Sequence, residues 1–300
     1  MNAAYTTASA PLNGARVALA TAADAVGLDD DSPPLVAALE RRGISPQLCV
    51  WDDETVDWAA WDLVVLRSTW DYPRRRDAFL RWATEVAAAT PLCNPPDVVA
   101  WNSDKRYLLE LADRGVAIVP SVVYGPHEAV VLPDDGPFVV KPAVSAGSQD
   151  TARYDRPDAD AAAAHARRLQ AQGRDVLVQP YVVQVDSRGE TALVFIGGVY
   201  SHAIRKGPIL NGASETVGGL FAAEDIQTRT PTAREHTAAQ TALDALPFDR
   251  ADLLYARVDL LPGPDDTPLV LEVELVEPSL FLRFVDAAPE RLAAAIAALL

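Results

Sequence analysis

The chain has 300 residues, with 26 Lys and Arg against 42 Asp and Glu, so its formal net charge is −16 at pH 7. This charge argues against nucleic acid or an anionic membrane as a bulk partner, because both attract basic surfaces. The hydrophobic content of 49% is typical of a folded protein. Two cysteines exclude a disulfide framework, and no Cys/His spacing resembles a zinc site.

The two ends of the chain predict no targeting signal and no membrane anchor. The N-terminal segment lacks the basic stretch and apolar core of a signal peptide. The apolar run at 292–300 is far shorter than the roughly 18 residues of a membrane span. We therefore expect a cytoplasmic protein, with Cys49 and Cys93 as small buried hydrophobic residues.

The first hundred residues alternate strand and helix signals. Short apolar runs predict strands at 16–21, 47–51 and 62–67, and helices are predicted from Ser32, as the N-cap, and over 73–89. This alternation predicts a Rossmann-like parallel sheet covered on both faces. The loop after the first strand lacks GxGxxG, which argues against an NAD-linked enzyme. Its acidic run, 29–31, is interpreted as a solvated loop.

The pattern changes after residue 101 to mixed, largely antiparallel structure. The predicted helices span 103–114, 157–172 and 231–246, and a last helix begins at Pro289. The predicted strands span 119–124, 138–142, 176–182, 191–196, 199–205, 254–261 and 269–276. Gly197-Gly198 predicts a hairpin turn. The Gly-rich segment 207–221 is long enough to be a functional lid or a disordered segment.

Lys141 ends an apolar strand and leads into a loop of small residues that contains Ser145, Gly147 and Ser148. Small residues let backbone N–H groups approach phosphate oxygens, and a lysine supplies a point charge. The sequence therefore favours a phosphate-binding loop here. The alternative is a surface lysine whose ammonium group reaches water.

Glu272 and Glu274 project from one face of a predicted strand, because strand side chains alternate faces. Asp259 lies on the preceding strand, and a hairpin between the two strands would bring three carboxylates together. Converging carboxylates repel one another unless a cation lies between them, and hard oxygen ligands favour Mg²⁺. The alternative is a half-exposed strand with its acidic face in water.

A third pattern is Gln179-Pro180-Tyr181-Val182, followed by Gly189-Glu190. Proline interrupts strand pairing and leaves backbone groups free for an adenine edge, and a nearby carboxylate suits ribose hydroxyls. A plain crossover between domains would give the same pattern.

The order of these motifs resembles the ATP-grasp superfamily of carboxylate ligases. The match begins at Asn102-Ser103-Asp104-Lys105 and continues through VVKP, QPYV, GE, RVD and LEVE, covering roughly residues 101–281. Many members have Asn where this chain has Glu274. The resemblance implies bound ATP and Mg²⁺. The roles it implies are ATP phosphates for Lys105 and Lys141; the phosphate loop for Ser145, Gly147 and Ser148; adenine for Gln179, Tyr181 and Val182; ribose for Glu190; the transferring phosphoryl group for Arg257; and Mg²⁺ for Asp259, Glu272 and Glu274.

Three further stretches, 67–72, 200–206 and 277–280, are similar to a bacterial branch that includes the O-ureido-serine cyclo-ligase of D-cycloserine biosynthesis. This resemblance implies ATP-dependent activation of a small amino-acid carboxylate as an acyl phosphate, followed by attack of nitrogen within the same molecule. The substrate-side candidates are Arg67, Ser68, Glu277 and Ser279.

Three basic residues are additional candidates for the chemistry. Arg205 and Lys206 precede the Gly-rich segment, and we expect both to face the phosphate or the substrate carboxylate, unless they form an ordinary basic strand end. His202 is a candidate for proton removal from the attacking nitrogen, with a structural histidine as the alternative. Arg67 either anchors a substrate carboxylate or pairs with Asp71.

The resemblance implies an ATP-grasp fold of the α/β and α+β classes, with a Rossmann-like N-terminal domain at 1–101, a small central lid domain at 102–183 and a C-terminal antiparallel-sheet domain at 184–300. The expected partner is a small amino-acid substrate, and a homodimer is left open. Two other functions stay open, an intermolecular peptide or amide ligase and a non-catalytic ATP-binding protein.

Overall fold

The computed structural model describes residues 14–208, 210, 216–217, 221–222 and 225–300.

The first sheet is parallel. Strands β1 (Arg16–Thr21), β2 (Ser45–Val50), β3 (Leu63–Ser68) and β4 (Leu92–Cys93) lie in the order β2-β1-β3-β4. All six residues of β3 are buried, as expected for a strand covered on both faces.

Three helices belong to this region. They are α1 (Ser32–Arg41), α2 (Arg76–Ala89) and α3 (Pro96–Asn102), the last of which the sequence pattern did not predict. Ser32 is not the N-cap of α1, because its hydroxyl donates to Asp29 Oδ2 at 2.6 Å and the helix begins at Ser32 itself. The loop after β1 is therefore folded against the helix start.

The central sheet is antiparallel. It has the order β5-β8-β6-β7, formed by β5 (Val122–Tyr124), β6 (Phe138–Pro142), β7 (Ala152–Tyr154) and β8 (Val176–Pro180). Helix α5 (Ala159–Ala171) packs against it through small residues such as Ala162 and Ala166. Helix α4 spans only Tyr107–Asp113, shorter than predicted, because Lys105 N–H donates to Ala143 O at 2.9 Å and holds residues 103–106 as turns against the phosphate loop.

The C-terminal sheet has the order β13-β10-β9-β14-β15, and every neighbouring pair is antiparallel. Its strands are β9 (Glu190–Ile196), β10 (Val199–Lys206), β13 (Ile226–Thr228), β14 (Tyr255–Pro262) and β15 (Pro268–Glu274). Strands β11 (Thr216–Val217) and β12 (Phe221–Ala222) form a separate pair. The remaining helices are α6 (Val185–Arg188), α7 (Ala233–Asp244) and α8 (Ala288–Ala297).

The last helix ties the two ends of the described chain together. Leu292 and Ile296 of α8 are fully buried in one cluster with Leu35 and Leu39 of α1. The predicted α/β and α+β organisation is confirmed, as is the hairpin turn at Gly197-Gly198. Residues 209, 211–215 and 218–220 of the predicted Gly-rich segment lie outside the described residues. Among the helices described, none has the length and apolar character that a bilayer crossing requires.

Candidate active site

A cleft of about 320 Å³ lies where the three sheets meet. Of the twenty site residues predicted from the sequence, sixteen line this cleft. They come from the central and C-terminal parts of the chain: Lys105, Lys141, Ser145, Gly147, Ser148, Gln179, Tyr181, Val182, Glu190, Lys206, Arg257, Asp259, Glu272, Glu274, Glu277 and Ser279.

The acidic face of the cleft is built by the β14–β15 hairpin. Asp259 stands opposite Glu272 and Arg257 stands opposite Glu274, so the predicted pairing of these strands is correct. Strand β15 is at the sheet edge, and Asn102 covers its free backbone groups. The Asn102 amide donates to Val273 O at 2.7 Å, and its oxygen accepts from Leu275 N–H at 2.7 Å. The asparagine of the first motif therefore fixes the strand that carries both glutamates.

Two lysines from outside this sheet hold Glu272. Lys141 Nζ donates to Glu272 Oε1 at 2.7 Å, and Lys105 Nζ lies 3.7 Å from Oε2. Burial alone would raise the pKa of Glu272, but the two lysines outweigh burial and lower it. Burial lowers the pKa of Lys141, and Glu272 offsets part of that effect. The site therefore brings together the lysines predicted to hold phosphates and one carboxylate predicted to hold Mg²⁺.

Asp259 has two cationic neighbours. Lys206 Nζ lies 2.8 Å from Asp259 Oδ2, and Arg257 Nε lies 2.9 Å from Oδ1. Burial would raise the pKa of Asp259, but these cations lower it below its ordinary value. Asp259 is therefore an anion in the folded chain.

Two other carboxylates of the cleft have a raised pKa, and of these Glu190 is buried, whereas the Glu274 side chain is 30% exposed. Burial raises the pKa of Glu274 to about 7, although Arg257 pairs with it. Burial likewise raises the pKa of Glu190 to about 8, although Lys206 pairs with it. In these two groups the loss of hydration outweighs the partner charge.

No group of three or more His, Cys, Asp or Glu side chains in the described ranges forms a ready metal-binding cluster. Asp259, Glu272 and Glu274 are each directed at a lysine or arginine in this structure. Their chemistry nevertheless fits Mg²⁺, since all three are carboxylates and no thiol or imidazole accompanies them in the cleft lining. The metal assignment therefore stays a prediction.

The predicted phosphate loop contacts Lys105, one of the two lysines near Glu272. Lys105 Nζ donates to Ser145 O at 2.9 Å and lies 3.0 Å from Ser145 Oγ. Gly147 and Ser148 both have positive φ, of 59° and 60°. Asp150 accepts from Arg174 at 2.6 Å and anchors the far end of the loop. The loop therefore holds a specific shape in which Lys105 is one support.

The predicted adenine hinge is only partly free. Gln179 Nε2 donates to Ser121 Oγ at 2.8 Å, and Tyr181 N–H donates to Pro137 O at 2.8 Å. The Tyr181 N–H therefore has a hydrogen-bond partner beside the central sheet. The expectation was that Pro180 would leave the backbone groups around it free for adenine. Val182 lines the cleft beside them.

Arg205 does not face the cleft, which corrects the expectation for the Arg205-Lys206 pair. Adjacent strand residues point to opposite faces, so only Lys206 enters the cleft. Arg205 Nε instead donates to Arg188 O at 3.0 Å. Because side chains alternate faces along a strand, the predicted strand itself implied that Arg205 and Lys206 point to opposite sides.

His202 also lies outside the cleft lining, and its environment fits the structural alternative. It is 5% exposed, its Nε2 lies 2.8 Å from Leu280 O, and its Nδ1 lies 2.9 Å from Ser201 Oγ. Burial lowers the pKa of the His202 imidazole. Both ring nitrogens therefore have partners within the fold.

Arg67 and Ser68 lie behind the cleft wall, so the structure does not place either one against a substrate. Arg67 is 1% exposed, and its Nη2 lies 3.4 Å from Asp31 Oδ2 and 3.9 Å from Asp29 Oδ2. It does not pair with Asp71, which binds Arg75. The Ser68 hydroxyl lies 2.8 Å from that of Thr21.

The interpretation of residues 29–31 as a solvated loop is wrong for Asp29 and Asp31, which are 5% and 3% exposed. Asp31 accepts hydrogen bonds from the amides of Leu280, Phe281 and Leu282 at 2.5–3.0 Å. All three aspartates line the cleft. These aspartates lie in the loop that follows β1. This position could have predicted that they line the cleft, because open α/β sheets bind ligands at the carboxyl ends of their strands.

Comparisons with known proteins identify the family of the chain. Residues 17–94 match the family model described as the N-terminal domain of the D-cycloserine synthetase DcsG. The cycloserine biosynthesis protein DcsG of Streptomyces lavendulae is 40% identical over 297 residues, which is 94% of this chain and 97% of that protein. A crystal structure of D-cycloserine synthetase DcsG matches with a TM-score of 0.85 and 38% identity, covering 94% of this chain and 99% of that one.

More distant structures share the fold alone. The D-alanine–D-alanine ligase of Bacillus anthracis complexed with ATP matches with a TM-score of 0.67 at 15% identity, over 95% of this chain and 96% of that one. The ATP-grasp ligase PsnB, in a complex with Mg and ADP, matches with a TM-score of 0.59 at 17% identity, over 95% and 98%. The predicted ATP-grasp fold is thereby confirmed, and the chain is an enzyme of the ligase type. With two-fifths of its residues shared along nearly its whole length, it belongs to the DcsG family.

Proposed function

We propose that this chain is an ATP- and Mg²⁺-dependent cyclo-ligase that forms D-cycloserine from O-ureido-D-serine. The observation that carries the proposal is the 40% identity to a cycloserine biosynthesis protein across 94% of the chain, combined with a cleft that gathers the predicted nucleotide-side residues. The solved structure at 38% identity is named a D-cycloserine synthetase, and the proposal transfers that activity to this chain.

The chain's own residues would serve phosphoryl transfer by position and charge. A carboxylate needs conversion of one oxygen to a leaving group before nitrogen attacks it, and the phosphoryl group of ATP supplies that leaving group. Attack of the oxygen-linked ureido nitrogen forms the ring bond and expels phosphate, and hydrolysis of the carbamoyl group on that nitrogen releases CO₂ and NH₃. Such transfer depends mainly on alignment and charge neutralisation. Four buried cations line the cleft beside the acidic hairpin, namely Lys105, Lys141, Lys206 and Arg257.

The carboxylates Asp259, Glu272 and Glu274 would hold Mg²⁺, which when bound neutralises phosphate charge. In this structure lysines and an arginine occupy those carboxylates. Phosphate oxygens compete for the same cations, so nucleotide binding would release carboxylate oxygens for the metal. Lys141 and Glu272 are therefore expected to exchange partners when ATP enters.

The test is a single-substrate assay. The protein is incubated with ATP, Mg²⁺ and one amino acid at a time, including O-ureido-D-serine, and ADP release is measured with and without an added amine. We expect ADP release with O-ureido-D-serine alone. Strict dependence on an added amine would favour the intermolecular ligase, and absence of ADP release with every compound would favour a non-catalytic ATP-binding protein.

A further inference from the structure

Glu277 is the acidic residue of the cleft whose carboxylate lacks a cationic partner among the described residues. Asp259, Glu272, Glu274 and Glu190 each have a lysine or arginine nitrogen within 4 Å. Glu277 has no such pair within 4 Å among the described residues, and only its own backbone N–H and the more distant charges of Lys105 and Arg257 favour its carboxylate. It is nevertheless 9% exposed and lines the cleft.

The position of Glu277 is fixed by its neighbours. It follows the acidic strand β15 by three residues, and Trp70 Nε1 donates to Glu277 O at 3.1 Å. Tyr72, which is 4% exposed, lines the same cleft, as does Trp70. The backbone of Glu277 is therefore held against the first domain, at the part of the cleft wall that Trp70 and Tyr72 also line.

A buried carboxylate without a counter-ion is unfavourable, because burial removes its hydration. Burial, followed by the neighbouring Glu274, raises the pKa of Glu277 to about 8. A ligand that brings a cation to this position would remove the penalty, and the aromatic rings beside it suit an organic ammonium group.

We propose that the Glu277 carboxylate binds the α-ammonium group of the amino-acid substrate and thereby selects substrates that carry a free amino group. The inference rests on the proposed function, since that function supplies a substrate with an amino group beside the carboxylate to be activated. Glu277 is a specificity-determining residue in this scheme, and the amino group is held away from the nitrogen that closes the ring.

Equilibrium binding tests the proposal without requiring turnover. The dissociation constants of O-ureido-D-serine and of the same compound with hydrogen in place of the α-amino group are measured by calorimetry. We expect the unaltered protein to prefer the amino compound by about ten- to a hundredfold, the range of a charge-assisted hydrogen bond. Glu277→Gln should bind both compounds equally, and Glu277→Asp, which keeps the charge, should retain part of the preference.

The matched control is Glu54→Gln, which makes the same change at an exposed carboxylate outside the cleft lining. We expect this variant to keep the preference, and the thermal midpoints of all variants confirm folding. Equal preference in the unaltered protein and in Glu277→Gln would overturn the proposal, as would an unaltered protein without any preference. ADP release by the unaltered protein reports separately on the proposed function, so the two failures are distinguishable.

Discussion

Lys141 and Glu272 join the central sheet to the C-terminal sheet, with Lys141 Nζ 2.7 Å from Glu272 Oε1. Both side chains line the cleft, and Lys141 is 5% exposed. A buried ion pair of this kind is stable only while each charge has a partner. An anion that enters the cleft would compete with Glu272 for Lys141. The contact between the two sheets therefore depends on which anion Lys141 binds.

Lys141→Met should weaken ATP binding by about ten- to a hundredfold, because a charge-assisted hydrogen bond contributes about 1.5–3 kcal/mol. The measurement is nucleotide titration by calorimetry in the presence of Mg²⁺. Arg167→Met, on the exposed face of α5, is the control and should leave the affinity unchanged. Unchanged affinity in Lys141→Met would contradict the phosphate-binding assignment.

The double substitution Glu272→Gln and Glu274→Gln should abolish substrate-dependent ADP release, because two of three proposed oxygen ligands lose their charge. The Mg²⁺ concentration that gives half-maximal ADP release in each single variant provides a graded readout. Asp134→Asn is the control, since this side chain is 97% exposed and remote from the cleft lining. Turnover of the double variant at a rate near that of the unaltered protein would show that the metal assignment is wrong.

Lys206 and Arg205 provide a matched pair on one strand. Lys206→Met should lower kcat/KM at least a hundredfold, because it leaves Glu190 and Asp259 without a shared cation in the cleft. Arg205→Met should change kcat/KM by no more than about threefold, because Arg205 lies on the other face. Equal losses in the two variants would contradict this division of roles.

Asn102→Leu should lower the free energy of unfolding by about 2–4 kcal/mol. The substitution leaves Val273 O and Leu275 N–H unpaired in the interior, and each such group costs about 1–3 kcal/mol. Urea denaturation at pH 7 measures the change, with Thr241→Ala on the exposed face of α7 as the control. A loss no larger than that of the control would show that Asn102 does not hold the edge strand.

His202 should contribute to the pH dependence of stability and not to catalysis. Burial lowers its pKa in the folded chain, so its contribution is present above the ordinary value near 6.5 and is lost as pH falls through the folded value. Between pH 7 and pH 5 the unaltered protein should therefore lose more stability than His202→Gln. The same variant should keep kcat within about threefold at pH 7.5. A much larger fall in kcat without loss of fold would restore the proton-transfer role.

Most of the strands could be predicted because their apolar runs are short and bounded by turn residues. The β14–β15 hairpin was a hypothesis based on two strand-like runs separated by a short turn-rich segment, and the register that sets Asp259 opposite Glu272 agrees with it. Helix α3 was missed because it has only seven residues, beginning at Pro96 with Pro95 as its N-cap, which leaves little periodicity to detect.

The parts of the site that could not be predicted depend on contacts between distant segments. The pairing of Arg67 with Asp31 and the hydrogen bonds that Asp31 accepts from the amides of residues 280–282 join segments up to 251 positions apart. No local pattern marks such contacts. The order of the motifs predicted the residues expected to contact nucleotide. The residues of the first domain that line the cleft, such as Asp29 and Asp31, became apparent only from the structure.

The ratio of products in a single reaction tests the proposed function most directly. The protein is mixed with O-ureido-D-serine, ATP and Mg²⁺ without any amine, and ADP and D-cycloserine are quantified together by mass spectrometry. Ring closure within one activated molecule predicts one D-cycloserine for each ADP. ADP without D-cycloserine, or products that appear only after an amine is added, would contradict it.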